Sequence, residues 1–439
     1  MASSARVHAR QRRAKYTLTC DGVSKGAGMR GGDQRSGSLR RESPSGMNAA
    51  VPVLDVWAVE PYFGGSHRYF LKGLAANCSH RVRIFSLPGR HWKWRMQGGA
   101  VNLAGQLNQA AAADGRGPDV LFVSDMLDLS VLLSLVEPRV RRAAVAVYFH
   151  ENQLTYPLPP GVERDLGYGM KNLTSALSAD AVFFNSDYHR TEFLQGIREL
   201  LAAVPDEVPT WAIDQVAGKS RVLSLGCDLR RLDAFRGAGI QAVVDGHWGD
   251  PTEGPLIVWN QRWEYDKAPN RLFAALRELK AWGVGFRLAM AGPNQGTPTA
   301  EFLRAREEFG DRIVQWGKVE SFQEYAALLW AADLVVSTAI HEFFGVAVVE
   351  AIYCGCRPVL PWRLSYPELI PREAHQEVLY REGQLAQALA TALGTGRAWS
   401  SDWQRTWVAR YDWGTMARHY DAELARVALT APSVKCQGW

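Results

Sequence analysis

The chain has 439 residues, enough for two or three domains, and its 47% hydrophobic and 22% charged residues are a globular composition. No run approaches the roughly 18 to 20 apolar residues that a membrane span requires. Six cysteines in so long a chain do not form a disulfide framework, and Cys354 and Cys356 lack a second ligand pair for zinc. We therefore expect a cytoplasmic protein with reduced thiols and no integral membrane span.

The positive charge lies at the amino end. Residues 1–46 hold ten Lys or Arg against three acids, so the rest of the chain carries −2 within a total of +5. This segment is rich in Ser, Gly and Arg, and we expect residues 1–50 to form a disordered basic tail that cannot act as a secretory signal. It is either a nucleic-acid-binding arm or, as we favour, dispensable upstream sequence with Met47 as the working start.

Strands alternate with helical stretches from Val51 onward, which predicts an α/β fold with parallel, doubly wound sheets. The first group of predicted strands covers residues 51–59, 81–87, 120–124, 145–149, 181–185 and 221–225. The run of Gly, Asp and Pro over residues 233–255 is typical of an interdomain linker. A second alternation follows it, with strands that include residues 286–292, 313–319 and 334–337.

Loops that follow strands in the first half are candidate ligand sites, because open α/β sheets bind ligands at the carboxyl ends of their strands. Gly64 and Gly65 would let the backbone approach a ligand closely, and Ser66 is a plausible helix N-cap. A simple strand–helix turn also uses glycine, and the segment is not the G-x-G-x-x-G dinucleotide fingerprint. His150 and Glu151 are in place to touch a substrate, although a histidine after a strand is also commonly structural.

A basic and aromatic segment, LPGRHWKWRM, follows the second strand. Its cations Arg90, Lys93 and Arg95 alternate with the indole rings of Trp92 and Trp94. Basic side chains hold phosphates while aromatic rings stack on exposed bases, a combination typical of binding to unpaired RNA. An amphipathic edge element with inward-packed tryptophans fits the same spacing, so both interpretations stay open.

Charged residues in the second half are spaced for a nucleoside diphosphate. Arg262 and Lys267 precede a predicted helix, where two cations could neutralise a diphosphate, although a solvated surface pair would have the same spacing. The loop at Gly317 lies where a nucleotide base could rest against backbone groups.

The stretch over residues 334–361 predicts a strand, a loop with Glu342, and a helix from about Gly345. Because side chains on a helix lean toward its N-terminus, Glu350 would reach back toward the loop that presents Glu342. Both carboxylates would then lie beside a helix N-terminus, whose free amides and positive dipole end suit a phosphate. Sugar hydroxyls are suitable partners for the two carboxylates.

The sequence EFFGVAVVE has the spacing E-x7-E and resembles the signature of glycosyltransferase family 4, retaining enzymes with the two-domain GT-B fold. Five further phrases resemble the tRNA-queuosine mannosyltransferase family: VEPYFGGSHRYF, LPGRHWKWRM, YFHENQLTYP, KNLTSALSADAVFFNS and VWNQRWEYDKAPN. The resemblance covers about residues 53–425. It implies two Rossmann-like domains facing each other across a cleft. These are an acceptor domain at 51–240, a nucleotide-sugar donor domain at 253–400, and a helical segment at 401–430 that returns toward the first domain.

The same resemblance implies roles for the residues that match its motifs. Arg262 and Lys267 would bind the diphosphate. Glu350 would bind the nucleoside ribose and Glu342 the donor hexose, with His150 beside that sugar near the acceptor. The rest of the donor set is Gly64, Gly65, Gly317, Phe343, Phe344 and Gly345, and the acceptor or RNA set is Arg90, Trp92, Lys93, Trp94, Arg95 and Glu151.

The activity that the resemblance implies is a retaining hexosyl transfer, with mannose from GDP-mannose moved to queuosine in a tRNA anticodon. It implies no cofactor and no metal, and the chain offers no D-x-D pairing. Arg139, Arg141 and Arg142 would extend the RNA surface, although a body of net charge −2 is a weak match to RNA.

Two alternatives compete with this interpretation. One is a family 4 enzyme with a lipid, glycan or small-molecule acceptor, which predicts a membrane-docking helix in the first domain. The other is a non-catalytic protein that binds a nucleotide sugar or RNA.

Overall fold

Two parallel sheets form the framework of the protein. The computed structural model describes residues 52–158, 161–245, 247–293, 299–394 and 401–431. The predicted basic tail, residues 1–50, lies outside them. The described residues form one compact unit.

The first sheet holds six strands in the order β2-β1-β3-β4-β5-β6, and every neighbouring pair is parallel. Its strands are β1 Asp55–Phe63, β2 Arg81–Pro88, β3 Val120–Ser124, β4 Ala144–Phe149, β5 Ala181–Phe184 and β6 Ser220–Val222. Every residue of β3, β4 and β5 is buried, as expected when helices cover both faces of a parallel sheet.

The second sheet repeats this design with the order β12-β11-β10-β7-β8-β9, again with parallel neighbours. Its strands are β7 Leu256–Trp259, β8 Arg287–Met290, β9 Ile313–Trp316, β10 Leu334–Val336, β11 Arg357–Pro361 and β12 Leu379–Tyr380. The predicted α/β class with two doubly wound sheets is confirmed.

Helices connect the strands and cover the sheet faces. Around the first sheet they are α1 Gly65–Asn77, α2 Trp92–Asp114, α3 Leu129–Leu135, α4 Pro138–Arg141, α5 Leu166–Ser178, α6 Asp187–Ala202 and α7 Trp211–Lys219. The later helices are α8 Arg236–Val244, α9 Pro269–Ala281, α10 Ala300–Glu308, α11 Phe322–Ala331, α12 Val346–Tyr353, α13 Tyr366–Leu369, α14 His375–Val378, α15 Leu385–Gly394, α16 Ser401–Ala409 and α17 Trp413–Thr430.

Two local details differ from the sequence analysis. The segment predicted as the interdomain linker, residues 233–255, lies between β6 of the first sheet and β7 of the second, but it contains the helix α8, and Gly239 of that helix lies directly against Trp330 of α11. Glycine lowers helix propensity but here permits close helix packing, which the composition alone does not reveal. Ser66 is not an N-cap, because α1 begins at Gly65 and Gly64 occupies the cap position. Ser186 caps α6, since its side chain accepts a hydrogen bond from the amide of His189.

The last helix, α17, packs on the first sheet. The hydroxyl of Tyr420 donates to the carbonyl of Ser224 at 2.9 Å. Asp421 accepts hydrogen bonds from the thiol of Cys78 and the amide of Ser79, both just after α1. Helix α17 is therefore anchored on the domain in which the described chain begins.

Candidate active site between the two sheets

The carboxyl ends of the strands in both sheets border one cleft. Across it, the rings of His189 and Phe343 stack with centroids 3.7 Å apart, and Tyr156 meets His341 edge-on at 4.7 Å. The carboxylate of Glu368 accepts hydrogen bonds from the first two amides of α6, which suits the positive end of that helix. These contacts bring loops from distant parts of the sequence together.

Helix α12 points its N-terminus into this region. Its N-cap residue, Gly345, has a φ of 97°, a conformation that other residues rarely adopt. The side chains of Phe343 and Phe344 are buried, so the loop presents backbone there. Free amides at such a helix start, with the positive end of the dipole, can bind a phosphate.

Lys267 is enclosed between two carboxylates. Its ammonium lies 3.0 Å from Asp266 and 3.2 Å from Glu342, and it donates to the carbonyl of His341 at 2.9 Å. Burial alone would raise the pKa of Glu342, but the charge and hydrogen bond of Lys267 hold it below its usual value. Lys267 and Glu342, which belong to separate segments of the sequence, are thus in contact in the structure, and both are charged.

Arg262 is more accessible. Its side chain is 46% exposed and pairs with Glu264 at 3.2 Å. Its charge also acts on Glu151 and Tyr156 of the other domain: burial raises the pKa of both groups, and Arg262 opposes this rise. A guanidinium in this position can meet an anion in the cleft.

Glu350 borders a cavity of about 230 Å³ whose walls come from both domains. Gly65, Ser66 and Tyr69 of α1 form one wall, and Val346 and Glu350 of α12 form another. Burial raises the pKa of Glu350 to about 7, opposed by a 2.8 Å hydrogen bond from the hydroxyl of Tyr325. A half-buried carboxylate facing a cavity is suited to accept hydrogen bonds from a diol.

His150 lies at the end of β4 with its backbone fixed on both sides. Its amide donates to Asp125 at 3.1 Å, and its carbonyl accepts from Asn185 at 3.0 Å. Burial, and to a smaller extent the charge of His67, keeps the pKa of His150 well below 6.5. His150 is therefore a neutral imidazole at physiological pH.

Sequence reasoning missed Glu60, His67 and Asp125 beside His150. All three are buried, and His67 is bonded to Glu60 at 2.8 Å. A signal was available, because Glu60 interrupts an apolar strand and Asp125 directly follows another.

Gly317 follows β9 at the same edge of the second sheet. Its amide donates to the carbonyl of Met290, and its own carbonyl accepts from Gln315. Open space adjoins its α-carbon. The residue can therefore adjoin a bound base, with its amide already engaged in the protein.

The basic and aromatic segment begins beside the glycine loop. Gly89 contacts Gly64 so closely that a β-carbon on either would meet the other backbone at 3.1 Å or less. Trp92 packs against Tyr168 with ring centroids 5.3 Å apart. Trp94 is 65% exposed, so the interpretation with both tryptophans packed inward is wrong. Arg90 and Lys93 are also exposed, whereas Arg95 is half-buried and donates to the carbonyl of Pro88.

Arg139, Arg141 and Arg142 do not extend this surface. They precede β4, whereas His150 follows it, so a strand of about 20 Å separates them. The expectation that they neighbour LPGRHWKWRM was wrong, because α2 is long enough to pass from one edge of the sheet to the other.

Within the described residues, one group of three side chains is spaced closely enough to suggest a metal site: Glu60, His67 and His150, with candidate atoms within 4.8 Å of one another. His67 is hydrogen-bonded to Glu60, and its ring packs on the ring of His150. This is the geometry of an ion pair that lies against an imidazole ring. The prediction that no metal and no cofactor takes part stays untested. No helix in the described part of the chain is long and apolar enough to cross a membrane.

Comparison with known proteins identifies the family. Residues 55–227 match the family model described as tRNA-queuosine alpha-mannosyltransferase N-terminal, and residues 245–394 match glycosyl transferases group 1. The tRNA-queuosine alpha-mannosyltransferase of Drosophila melanogaster is 34% identical over 330 residues, covering 74% of this chain and 84% of that protein. The chain belongs to the tRNA-queuosine alpha-mannosyltransferase family. The family resemblance predicted from the sequence is confirmed, while placement in glycosyltransferase family 4 stays a prediction.

More distant proteins resemble the chain in sequence or in fold. A GDP-mannose-dependent alpha-(1-6)-phosphatidylinositol dimannoside mannosyltransferase of Mycobacterium tuberculosis is 26% identical over 73% of the chain and 76% of that protein. Sucrose-phosphate synthase of Thermosynechococcus elongatus superposes with a TM-score of 0.62 at 17% identity, over 86% of this chain and all of that one. Anabaena HepE in complex with UDP-glucose superposes with a TM-score of 0.57 at 16% identity, over 85% of this chain and all of that one. The predicted GT-B fold is confirmed.

Proposed function

We propose that this protein transfers mannose from GDP-mannose to queuosine in a tRNA anticodon, with retention of configuration and without a metal ion. The observation that carries the proposal is the match of residues 55–227 to the N-terminal family model. This half holds the loops that would receive an acceptor. A related enzyme with another acceptor would be expected to differ here first.

The donor part of the proposal rests on the relatives. The mycobacterial protein and a cellobiosyl-diphosphopolyprenol mannosyltransferase of Xanthomonas campestris are both named as users of GDP-mannose. Their acceptors differ, so the shared donor is the feature that this chain would inherit with its second domain.

The mechanism begins with departure of the nucleoside diphosphate. Negative charge develops on the β-phosphate while the sugar becomes oxocarbenium-like. Arg262, the start of α12 and the charge of Lys267 would stabilise that phosphate, and each fixed donor is typically worth about 3 kcal/mol. The released phosphate would then take the proton of the acceptor hydroxyl on the same face of the sugar, which retains the configuration.

Three other groups would position the donor. Glu350 would accept hydrogen bonds from the ribose hydroxyls, and Glu342 would bind the hexose. The neutral imidazole of His150 would donate to the sugar without placing a positive charge beside the developing cation.

The acceptor would approach along the start of α2. Arg90, Lys93 and Trp94 are exposed beside the glycine loop of the cleft. Two cations and a flat indole suit a single-stranded anticodon loop.

A lipid acceptor is the second candidate. It is favoured by the 26% identity to an enzyme named for a phosphatidylinositol dimannoside. The exposed Trp92 and Trp94 beside Lys93 could lie at a lipid headgroup layer as well as on RNA.

Acceptor discrimination tests the proposal. Protein is incubated with labelled GDP-mannose and queuosine-containing tRNA, the same tRNA with unmodified guanosine, or vesicles containing phosphatidylinositol, and transferred label is measured. We expect labelled nucleoside from the queuosine tRNA alone. Label in the lipid, or equal label in both tRNAs, would overturn the acceptor assignment.

A further inference from the structure

A buried ion pair lies against His150. The carboxylate of Glu60 is fully buried in the second half of β1, and its Oε2 is 2.8 Å from the Nδ1 of His67. The ring of His67 in turn packs on the ring of His150, with centroids 4.3 Å apart and planes at 43°. The sequence places these residues on three different elements.

Local geometry explains how a carboxylate comes to be buried here. The register between β1 and β2 shifts between Glu60 and Phe63, so the backbone of this segment leaves the regular ladder. The freed amide of Tyr62 donates to the Oε1 of Glu60 at 2.7 Å. Both carboxylate oxygens are thus bonded, as a buried charge requires.

The ring of His150 is held from three sides. His67 and Phe70 lie three residues apart on α1, and therefore on one face of the helix. Phe70 meets the imidazole edge-on at 4.9 Å, and Tyr148 of β4 lies at the same distance. With the backbone bonds to Asp125 and Asn185, these contacts leave the ring one orientation.

We propose that Glu60 and His67 are positioning residues for the transfer reaction, a buried ion pair that holds His150 in place as a neutral hydrogen-bond donor toward the sugar. This inference rests on the proposed function for its kinetic consequence, but its structural part concerns the free protein alone. A positive charge against an imidazole disfavours a second proton on it. The pair thus helps to orient the ring and adds to burial in keeping it neutral.

The surrounding ionisable groups are consistent with this role. Burial would lower the pKa of His67, but Glu60 raises it to about 9, so His67 carries the charge. Burial raises the pKa of Asp125 to about 8. It also raises the pKa of Glu151, the residue that follows His150. His189 of α6 is held neutral by burial, so His67 is the cation against His150 and Glu60 its counter-ion.

The test uses His67→Asn with His80→Asn as its control. His80 is an equally buried, hydrogen-bonded histidine of the same domain. It directly precedes β2 and so lies at the amino end of that strand. With labelled histidine, NMR of the free protein follows the titration of His150. In His67→Asn we expect the pKa of His150 to rise, although burial still holds it below 6.5, and the acid limb of kcat to move to higher pH with it. The control should match wild type in both.

Glu60→Gln serves as the second variant if His67→Asn does not fold. It keeps the shape of the side chain but removes the charge, so His67 should lose its proton near neutral pH and the pKa of His150 should rise. An unchanged titration of His150 in a folded variant would overturn the inference. The NMR result does not depend on the substrate, so it remains decisive even if the protein transfers another sugar.

Discussion

Arg262 and Lys267 are cations only five residues apart, yet they have different surroundings. Lys267 is buried between Asp266 and Glu342, whereas Arg262 is nearly half exposed toward the cleft. The sequence could predict that both lie at a strand end, because parallel strands bring their carboxyl ends to one edge. It could not predict the enclosure of Lys267, since Glu342 reaches it from a loop 75 residues away.

This difference separates a role in chemistry from a role in folding. We expect Arg262→Ala to keep its free energy of unfolding within about 0.5 kcal/mol, because its ion pair is exposed. Its kcat should fall about 100-fold through the loss of a charge at the leaving group. Urea unfolding and steady-state kinetics measure both. Arg277→Ala, with 47% exposure and an ion pair to Glu308, is the matched control and should change neither.

Lys267→Met should behave differently. It leaves the buried Asp266 and the partly buried Glu342 without their counter-ion, so we expect the free energy of unfolding to fall by about 3 kcal/mol. The same urea titration measures it. A fully stable Lys267→Met protein would contradict the enclosure of Lys267 as a structural ion pair.

Among the elements, α2 shows what pattern reading can and cannot determine. The alternation of cations and tryptophans predicted either an RNA-binding surface or an amphipathic edge element. Whether Trp92 and Trp94 point inward depends on neighbours outside the segment. Tyr168 of α5 covers part of Trp92, and Trp94 has no such cover, with 65% of its surface exposed. At α8 the pattern concealed an element, because Gly237 and Gly239 made a helix within the linker segment read as irregular chain.

The exposure of Trp94 leads to a test of the proposed RNA surface. In Trp94→Ala we expect unchanged thermal stability and a binding free energy for the anticodon stem-loop weakened by about 1 to 3 kcal/mol, the usual value of one stacked base. Fluorescence anisotropy with labelled RNA measures it. Trp211→Ala is the control. Trp211 is 61% exposed, much like Trp94, but it lies on a different helix, at the start of α7, which leads into the amino end of β6. Equal weakening in both variants would count against a specific surface.

For the whole molecule, the parallel order of both sheets accounts for most of what the sequence could predict. Alternating strands and helices fix the class, and the phrases that follow strands mark the cleft. The pairs that cross it, such as His189 with Phe343 and Glu368 with α6, depend on how the domains meet. No local pattern in the sequence contains that information.

The buried groups predict how stability depends on pH. The pKa of His67 is raised to about 9, and that of Asp125 to about 8. A raised native pKa means that the native state binds more protons than the unfolded state between the two values, so the free energy of unfolding falls as the pH rises through that window. From pH 6.5 to 9 we expect a loss of up to about 3 kcal/mol from His67 alone.

Urea unfolding at pH 6.5 and at pH 9 measures this dependence. His67→Asn should show a shallower decline than wild type. A wild-type protein that is equally stable or more stable at pH 9 would exclude a protonated His67.

The most direct measurement of the central claim compares two donors. Queuosine-containing tRNA is incubated with the protein and either GDP-mannose, the donor named for the sequence relatives, or UDP-glucose, the sugar nucleotide bound in a protein of the same fold. The tRNA is then digested and its nucleosides are examined by mass spectrometry. The account predicts one added hexose on queuosine with GDP-mannose and none with UDP-glucose. A hexose added only from UDP-glucose, or none from either donor, would contradict it.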